Sequence, residues 1–241
     1  MNNIIINIFI IGLIGFFIIN NSISFNPLSF TCNNYIFNTY LYLILSIAIT
    51  LITLETIAYN RIYFNESSII GIFLCSIVLL IIMMMTSPKY ILIKHLLFFM
   101  FLILIGITQY PLYIHNKILF NQTGITTIIL LIFLSYIAIN YPQYIGDNWL
   151  KYLLMGLVCI IITRLVEMGL IWYNKIEPRN KYGRFISYIA IIIFIMFILY
   201  DTKQVQENAK KCIKADYINE SLNLYLDVIN LFANIYNVNN T

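Results

Sequence analysis

The chain has 241 residues, 61% of them hydrophobic and only 10% charged, with a formal net charge of +4. Soluble domains carry about 25% charged residues, so this composition excludes a water-soluble enzyme, and the absence of a basic patch excludes a nucleic-acid-binding module. What remains is a polytopic membrane protein in contact with the lipid bilayer, long enough for one bundle of about seven or eight spans at about 20 apolar residues each.

The first apolar run, Ile4 to Ile19, is short for a span. No Lys or Arg precedes it, whereas a secretory signal has a positive n-region. It closes in a polar stretch with Asn20, Asn21, Asn26 and Pro27. The run reads as a non-cleaved membrane segment, with a signal peptide as the alternative.

Further runs follow at Tyr35–Tyr59, Ser68–Thr86, Tyr90–Tyr113, Ile118–Asn140, Trp149–Tyr173, Tyr182–Tyr200 and Tyr217–Tyr236. Breaks fall at Asn60-Arg61, Ser87-Pro88-Lys89, His115-Asn116-Lys117, Pro142, Pro178-Arg179-Asn180 and the polar run after Asp201. Tyr and Trp recur at the ends of the runs, as in an interfacial aromatic belt. In lipid only helices or closed barrels satisfy the backbone. These runs are too long and too evenly apolar for barrel strands, which alternate, so the expected fold is an all-α, polytopic helical bundle.

Charge does not orient it. Lys175, Arg179, Lys181 and Arg184 stand in one loop, and Lys203, Lys210, Lys211 and Lys214 in the next. Cys32, Cys75, Cys159 and Cys212 are far apart and form no C-x-x-C pair, so neither zinc nor redox chemistry is expected of them. Three lie in or beside apolar runs and read as small hydrophobes.

Charges inside apolar runs are costly, about 2.5–3.5 kcal/mol each on insertion scales. Glu55, Lys94, His95, Arg164 and Glu167 are such residues. For Glu55, Lys94 and His95 the structural reading is snorkelling to a nearby helix end. For Arg164 and Glu167, three apart, it is a salt bridge on one helix face. The functional reading of all five is an ion or proton path.

The last run is the least hydrophobic. Asp216, Glu220, Asn223, Asp227, Asn230 and Asn234 recur at spacings of 4 and 3, which puts them on one helix face. Leu222, Leu226 and Ile229 occupy the opposite face. One reading is an amphipathic helix lying on the membrane surface. The other is a helix at the bundle centre with its carboxylates turned inward, for which Asp201 is the natural partner. Two carboxylates in a dry site cannot both ionise cheaply and titrate as a pair. Such a pair senses pH or offers oxygen ligands to a hard cation.

Two elements carry a resemblance. Tyr200-Asp201-Thr202 ends one run, and Leu224-Tyr225-Leu226-Asp227-Val228-Ile229-Asn230-Leu231-Phe232 lies in the next. Together they resemble the C-terminal signature of the transmembrane Bax inhibitor motif family, which includes Lifeguard and Golgi anti-apoptotic proteins and has cellular and viral members. Gln122-Thr123-Gly124, Pro88-Lys89-Tyr90 and Asn34-Tyr35-Ile36 are similar to the starts of its fourth, third and first spans. The resemblance divides the chain into an extra apolar segment, residues 1–33, and a seven-span domain, residues 34–241. It implies an endoplasmic reticulum or Golgi protein that leaks calcium from the store and dampens apoptosis. Carried over residue by residue, Asp201 and Asp227 are the pH-sensing pair, and Asp216 and Glu220 are pore-mouth candidates. Asn223 and Asn230 support the site by hydrogen bonding. Calcium or protons are the transported ions, with no resident cofactor or metal and no enzymatic activity, and apoptosis-regulating membrane proteins are the expected partners.

Two other classes compete. Composition alone also fits a membrane subunit of an organellar respiratory complex in the mitochondrial inner membrane, or a non-conducting interaction protein. Asn65-Glu66-Ser67 and Asn121-Gln122-Thr123 match the N-glycosylation pattern. In the family arrangement both face the lumen. Asn219-Glu220-Ser221 also matches but falls inside the last run.

Overall fold

The computed structural model describes residues 2–25, 28–173, 181–212 and 214–240. The expected breaks at Asn26, Pro27 and Pro178-Arg179-Asn180, and the loop charges Lys175 and Arg179, lie outside the described residues. The fold is all-α, as its hydropathy requires. Helix α1 covers Asn2–Ser22, and a small antiparallel hairpin follows, β1 (Ile23–Phe25) with β2 (Leu28–Phe30), in which Ile23 faces Phe30. Then come α2 (Tyr35–Tyr59), α3 (Glu66–Met85), α4 (Ile91–His115), α5 (Lys117–Asn140), α6 (Trp149–Trp172), α7 (Lys181–Lys210) and α8 (Tyr217–Asn239).

Local chemistry sets the ends. The Asn65 side chain accepts from the Ser68 amide at 2.7 Å and caps α3. Asp216 does the same for α8, accepting from the Asn219 amide at 3.3 Å. Asn34, before α2, has φ 49°, a left-handed conformation that Asn adopts more readily than most residues.

Among the described residues six helices, α2 to α7, are long and apolar enough to cross a membrane. The resemblance implies seven spans; α8 is not among the six, and α1 contributes a shorter apolar stretch, Ile11–Ser22. The seventh run ends later than expected. Hydropathy stops it at Tyr200, whereas α7 continues to Lys210. The residues after Asp201 are polar but include good helix formers (Lys, Gln, Glu, Ala). Lys203 and Gln206 anchor the extension by donating to the carbonyls of Ile145 and Ile139 at 2.7 and 3.0 Å.

The described chain forms two units. The first comprises Met1–Lys117 with Glu207–Tyr225. Its centre holds Tyr42, Phe98, Leu102 and Tyr225, all fully buried. Rings of Phe30, Tyr42, His95 and Tyr217 cluster there, with Phe30 edge-on to Tyr217 at 5.5 Å. At Gly106 helices α2 and α4 come so close that a Cβ would stand 2.8 Å from that of Thr53. The second unit comprises Ile118–Gln206 with Leu226–Thr241. Phe120 meets Phe232 edge-on at 4.7 Å, and Ala138 and Ala190 are fully buried. On α3 and α6, Ile70, Leu74, Ile81, Met155, Val158 and Ile162 are exposed. In a span, such faces are what lipid covers.

Candidate functional site

Helix α8 decides between the two readings of the polar stripe. No residue from Tyr217 to Tyr236 is exposed. A helix lying on a membrane surface keeps one face in water, so the surface reading fails and the stripe is internal. Ile218, Leu222, Leu224, Tyr225 and Leu231 have no accessible surface, whereas Leu226 and Ile229 of the expected apolar face are half-buried. In the first unit the Tyr225 hydroxyl lies 2.6 Å from that of Thr50 on α2.

In the second unit the stripe meets α7. The carboxyl of Asp227 is hydrogen-bonded to that of Asp201. Asp227 is only 7% exposed, and its Oδ2 is buried with no hydrogen-bond partner. A hydrogen bond between two carboxyls needs a proton on one of them. Such a contact forms only while the pair holds a proton. Two residues along α7, Lys203 donates to Asp147 Oδ1 at 2.5 Å as well as to the Ile145 carbonyl. Asp147 lies outside the spans, and this hydrogen bond and the lysine's charge hold its carboxyl below the usual carboxylate range.

Asp216 and Glu220 belong to the first unit and are engaged there. Asp216 Oδ2 is 2.5 Å from the ammonium of Lys94, whose side chain is fully buried and also donates to the Thr86 carbonyl at 3.1 Å. Lys94 thus does not snorkel. The reason is that α8 begins beside it with a carboxylate. Glu220 accepts from Asn208 at 2.6 Å and from the Tyr35 hydroxyl at 3.3 Å. Both acids, expected at a pore mouth, are partnered within the protein and anchor the start of α8. Asn230, expected to support the acid pair, donates to the Leu226 carbonyl at 2.7 Å. Asn223 is half-buried in the first unit.

The remaining intramembrane charges also meet partners within the protein. Arg164 bridges Glu167 at 2.7 Å, as their spacing predicts. It further donates to Ser187 on α7 at 2.5 Å and to Asn234 on α8 at 3.2 Å. His95 Nδ1 faces the Ile91 carbonyl at 2.8 Å, which can only accept, so this nitrogen carries a proton. Its Nε2 lies 2.8 Å from the Tyr42 hydroxyl. Glu55 is half-buried on α2, within range of the Lys117 charge.

One expectation fails outright. Cys32 and Cys212 are joined by a disulfide, with Cα atoms 6.0 Å apart across 180 residues of sequence. Spacing rules look for neighbours in sequence and miss such a pair. The usable signal is topological: among the described residues six helices long and apolar enough to cross a membrane stand between the two cysteines, the even number that a pair on one face requires. Cys75 and Cys159 remain free and exposed within spans.

Residues 32–239 match the protein family described as "Inhibitor of apoptosis-promoting Bax1". The chain belongs to that family. It is an integral membrane protein of the Bax inhibitor class, anti-apoptotic at family level, as the Tyr-Asp-Thr and Leu-Tyr-Leu-Asp elements implied. No individual curated protein matches it. The respiratory-subunit reading rested on composition alone, and the family match gives it no support.

Proposed function

We propose that this Bax inhibitor family member is a pH-gated calcium leak in the endoplasmic reticulum or Golgi membrane, and that Asp201 and Asp227 are its sensor. The observation that carries the reading is the hydrogen-bonded carboxyl pair between α7 and α8, with Asp227 Oδ2 buried and unpartnered. Sharing a proton, the two groups hold the helices together. Losing it, they become like charges at close range, which repel strongly where water is scarce. The repulsion loosens α8 and turns carboxylate oxygens toward a passing cation.

The ligand chemistry favours calcium as cargo. Calcium takes six to eight oxygen ligands and tolerates irregular geometry. Two carboxylates supply only part of such a shell, and conduction needs binding weak enough for the ion to leave. Lowering the store's calcium is how this activity would dampen apoptosis. The experiment is efflux from calcium-loaded liposomes holding the purified protein. Efflux that rises as pH rises supports the reading. Efflux no faster than from empty liposomes at every pH removes it and favours a non-conducting interaction protein.

A further inference from the structure

We propose that Cys32 and Cys212 form a reversible thiol–disulfide exchange site for glutathione, and that closing their bond latches the start of α8. The bond joins the linker before α2 to the turn before α8. In the family arrangement the loop after α2 faces the lumen, so this linker and this turn face the cytosol. There glutathione keeps thiols reduced, and the disulfides that do form are transient and redox-sensing. A bond in that place follows the oxidation state of the glutathione pool.

The site is suited to exchange. Cys32 is exposed and Cys212 half-buried, so an incoming thiolate reaches Cys32 first. Lys210, Lys211 and Lys214 stand within two residues of Cys212, and all three are exposed. The acids of the same stretch are Glu207, in the last turn of α7, and Asp216, which is already paired with Lys94. The surplus positive charge draws in anionic glutathione and stabilises a thiolate on Cys212. A thiol of lowered pKa is also the faster leaving group. Opening therefore begins as a glutathione thiolate attacks Cys32 Sγ; the S–S bond breaks and its electron pair leaves on Cys212. A second glutathione thiolate attacks the glutathione sulfur of the mixed disulfide and releases the Cys32 thiolate. Both protein sulfurs are then reduced, two glutathiones are oxidised to one disulfide, and the reverse sequence closes the bond.

The open form keeps its fold, because other contacts hold the same turn. The Tyr217 hydroxyl donates to the carbonyls of Thr31 and Asn33. Lys214 donates to Ser87 between α3 and α4 at 3.1 Å, and Asp216 stays with Lys94. What opening removes is the one covalent restraint on the first turn of α8. For ion flux the consequence rests on the calcium reading above: a closed bond opposes the loosening of α8 and slows the leak.

The test uses the full chain carrying Cys75→Ser and Cys159→Ser in detergent micelles, equilibrated with glutathione buffers from mostly oxidised to mostly reduced. Alkylation and intact-mass spectrometry count free thiols, and hydrogen exchange follows residues 214–220. The expected result is a closed bond in oxidised buffer, two free thiols in reduced buffer, reclosure on return, and exchange several-fold faster in the open form. Lys210→Gln/Lys211→Gln is expected to slow opening by glutathione several-fold. A bond that stays closed under excess reduced glutathione, a bond that never forms, equal exchange in the two forms, or a lysine variant that opens at the parent's rate overturns the inference. Calcium efflux from liposomes is compared last. Slower efflux from the closed form supports the latch, and equal efflux from both forms overturns its control of the leak. No efflux from either form removes the calcium reading and leaves the exchange site standing on the thiol and hydrogen-exchange results.

Discussion

Lys94 and Asp216 form an ion pair 2.5 Å long in which the lysine side chain is fully buried and the aspartate 21% exposed. The asymmetry sets an order among variants. Asp216→Asn strands a buried ammonium, and losing one partner of such a pair costs about 3–5 kcal/mol. Lys94→Met leaves a carboxylate that still reaches water and still caps α8, so it costs less. The double variant Lys94→Met/Asp216→Asn is more stable than Asp216→Asn alone. Thermal unfolding of the four proteins in detergent, read as a double-mutant cycle, checks the order.

Gly183, in the first turn of α7, lies against the Glu167 carboxylate with no room for a Cβ. Glu167 is itself buried and held by Arg164. Gly183→Ala therefore pushes Glu167 away from the arginine and costs about 1–3 kcal/mol, the usual range for overpacking. Glycine-to-alanine in an open helix position stabilises instead. A raised unfolding temperature for Gly183→Ala would contradict the close approach.

Arg164 ties α6 to α8 through Asn234. Asn234→Leu removes that bond together with the one that Asn234 donates to the Asn230 carbonyl within α8, and hydrogen bonds to charged groups are worth about 1.5–3 kcal/mol. If α8 moves to open the path, this variant leaks calcium faster than the parent at the same pH. Unchanged efflux with lowered stability would assign the contact to folding only.

Asp147 is held below the ordinary carboxylate range by Lys203. A lowered value in the folded state means that the stabilisation is complete above the unfolded value, about 3.9, and lost as pH falls through the folded one. The parent is therefore more stable than Asp147→Asn near neutral pH, and the difference shrinks to nothing on strong acidification. The effect is small, because the carboxylate is open to solvent. Unfolding midpoints of both proteins across the acid range test the trend.

Much of this architecture was legible in the residues. Hydropathy places α2 at its observed ends because Asn34 and Asn60 flank a long, mainly apolar run. The meeting of Asp201 with Asp227 followed from the 4–3 stripe of α8 and the acid ending the preceding run. The extension of α7 was not legible from hydropathy, since its polar residues are held in helix by carbonyls at the end of α5 and in the loop after it. Nor were the partners of Lys94 or the bond from Cys32 to Cys212. For the last two the deciding neighbour stands more than a hundred residues away, and for α7 more than fifty. Periodicity tells which side of a helix is polar; it does not tell which other helix supplies the counter-charge.

The most direct test of the account is the pH profile of calcium efflux from liposomes holding the parent, Asp201→Asn or Asp227→Asn. The parent is predicted to leak slowly in acid and faster as the shared proton is lost. Each variant keeps at most one ionisable member of the pair, so the repulsive step and its pH dependence disappear. Variants that leak at the parent's rate with the parent's pH dependence would contradict the account.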